Sequence, residues 1–343
     1  NKTFVVDAAF GIVGGHNIGD EYFGLHSSTN FLDRDMLAVG PIVGEISDSF
    51  DLYWNSHAAY PAADLAGKAA QTDPLGRRLA AARASADDTE GLACAPPRRA
   101  DVALAAMEQW LEAVEWAPAE LVFSEPLPQV LPAEDHPAPT ATRLAELTEA
   151  SRREVLIESA YFILGDRQLT AIDRLTRQGV GVRAITNSLA SNDLLGNHAG
   201  YARSRRGMLG SGIQLHELRP DAQICAGCAL GTDACDGDVA LHSKSVVFDR
   251  RVLYVGSFNI NLRSIYLNGE TVLIVHSPRL AASVAESIET AMQSDNSWQL
   301  AMEDNGPLRW HASDGVYRHE PATGWWRRAK ASLIGLLPIE KYY

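Results

Sequence analysis

A stretch near one end of this chain recurs, without a gap, near the other. The segment NKTFVVDAAFGIVGGHNIG at residues 1–19 lies on SKSVVFDRRVLYVGSFNIN at residues 243–261 at a constant offset of 242. Lys2 falls on Lys244, Asp7 on Asp249, Gly14 on Gly256 and Asn17 on Asn259, and Phe4, Val5 and Val6 face Val246, Val247 and Phe248. Self-similarity at fixed register means one supersecondary unit used twice, so the chain must bring two related units together. Each copy reads as a β-hairpin, with short apolar runs on either side of a polar turn. In the second copy the strands are expected at residues 241–248 and 252–256, turning at Asp249, Arg250 and Arg251. Alternate residues of a strand share a face, so His242 and Lys244 should project together. The same offset puts the counterpart of His242 immediately before Asn1.

Composition narrows what such a pair of units can do. A chain of 343 residues, 46% apolar and 21% charged, accommodates two domains with a sizeable core. Forty-three acids against thirty bases leave a net charge of −13, which lacks the basic footprint of a nucleic-acid binder. No apolar run approaches the roughly eighteen residues that span a bilayer. The opening at Asn1, directly in a strand-like run, suggests a piece of a longer protein whose leader would lie upstream.

His242, Lys244 and Asp249 satisfy H-x-K-x-x-x-x-D, followed by G-S-x-N at Gly256, Ser257 and Asn259. The first triplet is short, but the G-S-x-N extension and a second copy in register make chance implausible. These residues resemble the HKD motif of the phospholipase D superfamily. The flanks resemble the bacterial cardiolipin synthase C branch: GGHNIGDEYFG at 14–24, DRDMLAVGPIV at 33–43, FDLYWNS at 50–56, TNSLASND at 186–193, HAGYAR at 198–203, HELRPDA at 216–222 and EPATGWW at 320–326. Similarity is weakest from about Ala58 to Ala117. The resemblance implies an α/β phospholipase D fold, two pseudo-equivalent sandwich domains with the active site between them. Residues 1–60 would be the C-terminal part of the first domain and residues 61–140 a mainly helical connection with a Pro-rich linker. Residues 141–343 would be the second domain with an amphipathic C-terminal segment. Family members carry roughly a further domain's worth of chain before the first motif, so the first domain here should be incomplete.

Displacing an alcohol from a phosphodiester needs a nucleophile, an acid for the leaving oxygen and compensation of charge at phosphorus. Imidazole serves the first two near pH 7. The resemblance assigns the nucleophile to the first-motif histidine, forming a phosphohistidine, and makes His242 the acid/base, protonated at the start. Lys2 and Lys244, with Asn17 and Asn259, would clamp the non-bridging oxygens, and Ser257 would add a hydrogen bond. Gly15 replaces that serine in the first copy. Asp7 and Asp249 complete the catalytic motifs, although as turn residues they also read as structural. Glu270, eleven residues beyond Asn259, is where the family places a carboxylate that orients the histidine ring. For the first copy either Asp33 or Asp35 fits after an insertion, with Asp35 favoured. Glu158 and Tyr161 follow an apolar strand and are candidate rim residues. Thr186, Asn187, His198 and Tyr201, after the next strand, are candidates to line a lipid headgroup.

The implied reaction is phosphatidyl transfer from a phosphatidyl donor to phosphatidylglycerol, giving cardiolipin at the surface of a bacterial membrane. Rivals are hydrolysis, as a phospholipase D or other phosphodiesterase, and an inactive membrane-binding scaffold. A chain without the first histidine is expected to transfer nothing alone. No cofactor or metal is expected, since no carboxylate or histidine cluster with ligand spacing lies near the motif. Cys225, Cys228 and Cys235 form C-x-x-C-x6-C, one short of the four ligands a structural zinc site takes. The segment GWWRRAKASLIGLL at 324–337 suits either a helix in a membrane interface or one that closes the core.

Overall fold

A computed structural model of the chain describes residues 2–24, 26, 28–61, 64, 84, 100–126, 136–224, 237–302 and 306–336. Both repeats are hairpins. β1 (Thr3–Val6) pairs with β2 (Phe10–Gly14), Thr3 opposite Val13 and Val6 opposite Phe10. In the second copy, Ser245 lies opposite Val255 and Phe248 opposite Val252, the same register shifted by the repeat offset. Asp7 and Ala8 take φ of +50° and +51°, and Asp249 and Arg250 take +51° and +53°. Two left-handed central residues make a type I′ turn, whose twist matches that of the flanking strands.

Two further strands follow the first hairpin, β3 (Thr29–Leu32) and β4 (Asp35–Val39), and then helix α1 (Ile42–Trp54). Beyond them come α2 (Ala100–Glu112) and β5 (Ala119–Phe123). The expected helical connection therefore also contains a strand. A regular α/β run comes next: α3 (Pro139–Ala150), β6 (Glu154–Ser159), α4 (Asp166–Arg177), β7 (Gly181–Asn187), α5 (Leu195–Gly210) and β8 (Gln214–Leu218). Here β6, β7 and β8 are parallel, as crossover helices require.

The second hairpin begins with a difference from expectation. Residues 241–248 are not one strand: β9 (Asp238–Leu241) ends before His242, and β10 (Lys244–Phe248) begins after Ser243. The backbone leaves the ladder because the His242 and Ser243 amides both donate to the Leu32 carbonyl, at 2.8 and 2.9 Å. β11 (Val252–Gly256), α6 (Leu262–Tyr266), β12 (Thr271–Val275) and α7 (Pro278–Ala291) continue the chain. Ser277 caps α7 through the Leu280 amide, with Pro278 at the first helical position. β13 (Ser297–Met302), β14 (Leu308–Ala312), β15 (Gly315–Tyr317) and α8 (Trp325–Ile334) complete the described elements.

Ten strands form one mixed sheet in the order β15-β14-β13-β8-β7-β6-β10-β11-β12-β5. Strand alternation divides its side chains between two faces. Val155, Ile157, Val246 and Phe248 pack with Leu147 of α3, Ile172 and Leu175 of α4 and Met208 of α5. Leu156, Val247, Leu253 and Val255 pack with Ala281, Ala285 and Ile288 of α7 on the other side. β1, β2 and β4 form a separate three-stranded sheet. Its Val13 joins Ile46 of α1 against Leu273 and Val275 of β12, which lie on the α7 face. β1 is the edge of that small sheet, with Phe4 and Val6 exposed, whereas its counterpart β10 is flanked on both sides and buried throughout. The α/β class therefore holds, with the two hairpins in different sheets.

Candidate functional site

The two halves meet in a short parallel ladder that no repeat arithmetic announces. β3 pairs with β9, Thr29 opposite Asp238 and Leu32 opposite Leu241. The next residue on each strand is therefore forced alongside the other: Asp33 from the first half, His242 from the second. Asp33 Oδ2 lies 2.6 Å from His242 Nδ1, and the Asp33 side chain is fully shielded from solvent. The Lys244 ammonium, 3% exposed, donates to the His242 carbonyl and lies 3.0 Å from Nδ1. On the opposite edge of the ring, Tyr22 Oη sits 3.4 Å from Nε2. Asn17 Nδ2 donates to Tyr22 Oη at 2.7 Å, and Lys2 donates to Asn17 Oδ1. Five motif positions from both repeats, Lys2, Asn17, His242, Lys244 and Asn259, were expected in one site. The first four are joined in this chain of contacts. The Asn259 side-chain oxygen is buried without a hydrogen-bond partner among the described residues.

Burial sets the protonation of this cluster. Desolvation lowers the His242 pKa, Lys244 lowers it further, and the bond to Asp33 only partly compensates. Burial also pushes Lys244 down to about 8, with Lys2 adding repulsion and Asp33 opposing both. Burial alone would raise Asp33, but the His242 hydrogen bond and the Lys244 charge outweigh it and hold the carboxyl below its usual range. An ionised Asp33 can only accept. His242 is accordingly neutral near pH 7, with its proton on Nδ1 and the Nε2 lone pair facing Tyr22.

The orienting carboxylates are also redistributed. Glu270 does not touch His242; it accepts hydrogen bonds from Ser257, from Ser264 at 2.7 Å and from Asn268 at 3.0 Å. Ser257 is thereby buried and engaged rather than facing a phosphate. Asp35 lies 2.7 Å from His16 Nδ1. Burial draws His16 down, yet the bond and charge of Asp35, with Asp33 beyond, leave its pKa raised. Gly15 stands where the second copy has serine for a steric reason: a Cβ there would lie 2.1 Å from Asp33 Oδ1.

Asp7 and Asp249 occupy the hairpin turns, at the end of each hairpin opposite the lysine. The Asp249 carboxylate accepts from the backbone amides of Arg152, Arg153 and Glu154 at 2.9, 2.7 and 3.0 Å. Burial works against its charge, but these three donors win and its pKa is lowered. Its geometry is that of a clasp between the turn and the start of β6, so the catalytic assignment gives way to a structural one. Asp249→Ala should cost about 1–3 kcal/mol in stability. Urea unfolding of the variant measures this, and activity per folded molecule should stay near that of the parent.

Of the proposed rim, Tyr161 is coupled electrostatically to Tyr22 of the cluster. Its hydroxyl donates to Asp193 at 2.9 Å, and burial followed by the Asp193 charge pushes its pKa far up. Glu158 is buried and paired with Arg34, which also donates to Ser245 at 2.9 Å and Ser287 at 3.0 Å. Arg34 therefore ties the Asp33 segment to β6, β10 and α7. Asn187 exchanges two bonds with the Leu241 backbone, at 2.7 and 2.8 Å, and fixes the end of β9 rather than a headgroup. Thr186 bonds the Ala160 carbonyl. His198 and Tyr201 point into a buried network: His198 Nε2 is 2.8 Å from Glu320, and Tyr201 donates to Glu217 at 2.9 Å. Arg205 bridges Glu217 and Glu320. Against the cost of burial, His198 and Arg205 bring the Glu320 pKa down to about 2. Sequence reading did not single out Tyr22, Phe31 or Arg34. The first and last stood inside the runs at 14–24 and 33–43, where nothing local says what they touch.

Two other features lie outside this cluster. An apolar cavity of about 800 Å³ opens between α3 and α4, walled by Phe258 and Ile260. On α8, Trp325 and Trp326 are exposed, and Arg327 holds the helix to the carbonyls of Leu189 and Asn192 at 2.9 and 2.6 Å. Among the described residues no helix is long and apolar enough to cross a membrane, and no three His, Cys, Asp or Glu side chains are grouped to hold a metal ion. Cys225, Cys228 and Cys235 lie outside the described residues.

The family model described as cardiolipin synthase, PLD-like domain, matches residues 144–292. The chain is 29% identical over 344 residues to cardiolipin synthase C of Escherichia coli K12, aligning 99% of this chain with 72% of that protein. It is 24% identical over 297 residues to cardiolipin synthase A of Pseudomonas entomophila L48, with 86% of this chain on 46% of that one. Among solved structures, the phosphatidylserine synthase of Haemophilus influenzae Rd KW20 superposes with a TM-score of 0.53 at 17% identity. That match covers 86% of this chain and 61% of the other, and at such identity it speaks for the fold alone.

Proposed function

From the premise that this chain belongs to the phospholipase D superfamily, we propose that it is the catalytic part of a phosphatidyltransferase that makes cardiolipin from phosphatidylglycerol and a phosphatidyl donor. The observation that carries the reading is the convergence of Lys2 and Asn17 from one repeat with His242 and Lys244 from the other, around an imidazole held by Asp33. The family resemblance implies that the nucleophile is the first-motif histidine, the counterpart of His242 in the repeat. Its imidazole attacks phosphorus, a P–N bond forms and the P–O bond to the departing alcohol breaks. A phosphodiester entering between the lysines brings negative charge beside His242 and favours its protonated form. His242 then gives its Nε2 proton to the departing alkoxide. The acceptor hydroxyl of phosphatidylglycerol next returns a proton to His242 as its oxygen displaces the histidine from phosphorus. Both lysines neutralise the non-bridging oxygens throughout.

The exposed Trp325 and Trp326, with Lys330 beside the Trp326 ring and Leu333 and Leu336 exposed further along, support contact with a membrane interface. Arg327 links that helix to the loop bearing Asp193, next to Tyr161, so the membrane face and the site would be neighbours.

The test is product analysis with the full-length protein and vesicles containing labelled phosphatidylglycerol. Cardiolipin is the expected product; phosphatidic acid alone would make the protein a hydrolase, and neither product would overturn the reading. Lys244 adds a pH dependence. Its ammonium is present below a pKa of about 8 and lost above it, so the phosphate clamp weakens on the alkaline side. In the free enzyme kcat/KM should fall roughly tenfold per pH unit above about pH 8. The loss should appear mainly in KM, because bound phosphate stabilises the charged lysine.

A further inference from the structure

The transferase reading leaves a competition between water and lipid for the same phosphoenzyme, and the surroundings of His242 bear on it. Only 8% of His242 is exposed. Tyr22 meets the imidazole edge-on with ring centroids 5.0 Å apart, Phe31 lies 5.4 Å away, and the two aromatic rings are 4.9 Å from each other. Both rings therefore pack against the imidazole. The Tyr22 hydroxyl stands at Nε2, the atom that must receive the attacking molecule's proton. Asn17 Nδ2 donates to that hydroxyl, which leaves the phenolic hydrogen directed at the imidazole. Asn17 is in turn fixed by Lys2, so the phenol is held by the phosphate clamp itself.

We propose that Tyr22 is a specificity-determining residue whose hydroxyl occupies water's place at His242 Nε2, so that the phosphoenzyme passes its phosphatidyl group to a lipid hydroxyl rather than to water. The inference rests on the transferase reading. In either outcome the P–N bond breaks, a P–O bond forms and the attacking hydroxyl's proton goes to Nε2; only the identity of the attacker differs. A bulk water competes for Nε2 with a hydroxyl already bonded there and must slip past two rings. A glycerol hydroxyl delivered on a membrane-anchored lipid has a high local concentration and displaces the phenol, which keeps its bond to Asn17. Tyr22 touches His242 rather than phosphorus, so it acts through positioning and exclusion.

The experiment compares the full-length protein with its Tyr22→Phe and Tyr22→Ala variants on vesicles of labelled phosphatidylglycerol, reading the ratio of phosphatidic acid to cardiolipin. The parent should make mainly cardiolipin. Tyr22→Phe keeps the ring and removes the hydroxyl, and should raise the ratio about tenfold. Tyr22→Ala opens the ring cover as well and should raise it at least as far. A merely structural role would lower both products together and leave their ratio alone. An unchanged ratio in both variants overturns the inference, as does complete loss of turnover in Tyr22→Phe. A parent that makes mainly phosphatidic acid also overturns it while leaving phosphodiester chemistry standing. A parent that makes neither lipid sinks the transferase reading and this inference with it.

Discussion

His242→Ala in the full-length protein should lower phosphatidyl turnover by roughly five orders of magnitude, because the members of a nucleophile–acid pair act as a unit. The imidazole has two duties in the proposed cycle, and no neighbour replaces it. Lys244 is tied to the His242 carbonyl, and Tyr22 is a far weaker acid. Binding of vesicles should survive, since Trp325, Trp326 and the basic residues of α8 lie on a separate element. Labelled phosphatidylglycerol followed by thin-layer chromatography measures the first quantity and vesicle flotation the second. Cardiolipin formation near the parent rate would remove His242 from the chemistry. Mapping any trapped phosphohistidine adds a discriminating result. Label should reside on the first-motif histidine that the proposed cycle requires, and label on His242 would exchange the two roles, which its neutral, Asp33-oriented ring also permits.

Asp33→Asn should reduce kcat by roughly 10³–10⁴-fold, an effect of the size expected when a buried carboxylate that fixes an imidazole tautomer becomes an amide. The Asp33 carboxylate accepts the Nδ1 proton at 2.6 Å; an asparagine amide can instead donate to Nδ1 and drive the proton to Nε2. That atom would then be unable to accept from the incoming hydroxyl. The volume hardly changes, so thermal unfolding should show a folded protein. Asp33→Glu, by contrast, keeps the charge but has no room, since Asp33 already fills the space that a Gly15 side chain would take. If Asp33→Asn retains more than about a tenth of parental kcat, the tautomer argument fails.

Pattern and spacing already contained a good part of this molecule. The repeat at an offset of 242 specified two hairpins with one register, and the structure returns that register residue for residue. The reason is local: strand periodicity and a two-residue left-handed turn depend on neighbours a few positions away. The α/β character of residues 139–218 was likewise legible, since apolar runs and helical stretches alternate there. So were the lysine and asparagine of each motif, because their positions on a hairpin follow from the hairpin itself.

Roles that depend on a distant partner were not legible. Glu158, Asn187, His198 and Tyr201 all looked like site residues from their place after a strand, yet each is bonded into the frame. A strand's C-terminal end says that a side chain reaches the crevice rim, not whether an arginine from another segment is waiting for it. Arg34 and Glu158 are 124 residues apart, and no local period encodes that distance. Asp33 was the alternative passed over for Asp35, and neither was matched with His242.

By itself, then, the sequence determined the two hairpins, their turns and the lysines and asparagines they carry, because these follow from short-range sterics and alternation. Only the tertiary structure decided which carboxylate serves which imidazole. Asp33 and His242 are 209 residues apart, and they meet because β3 and β9 pair in parallel with Leu32 opposite Leu241. A shift of one residue in that ladder would turn the carboxylate to the other face and leave His242 buried without its partner.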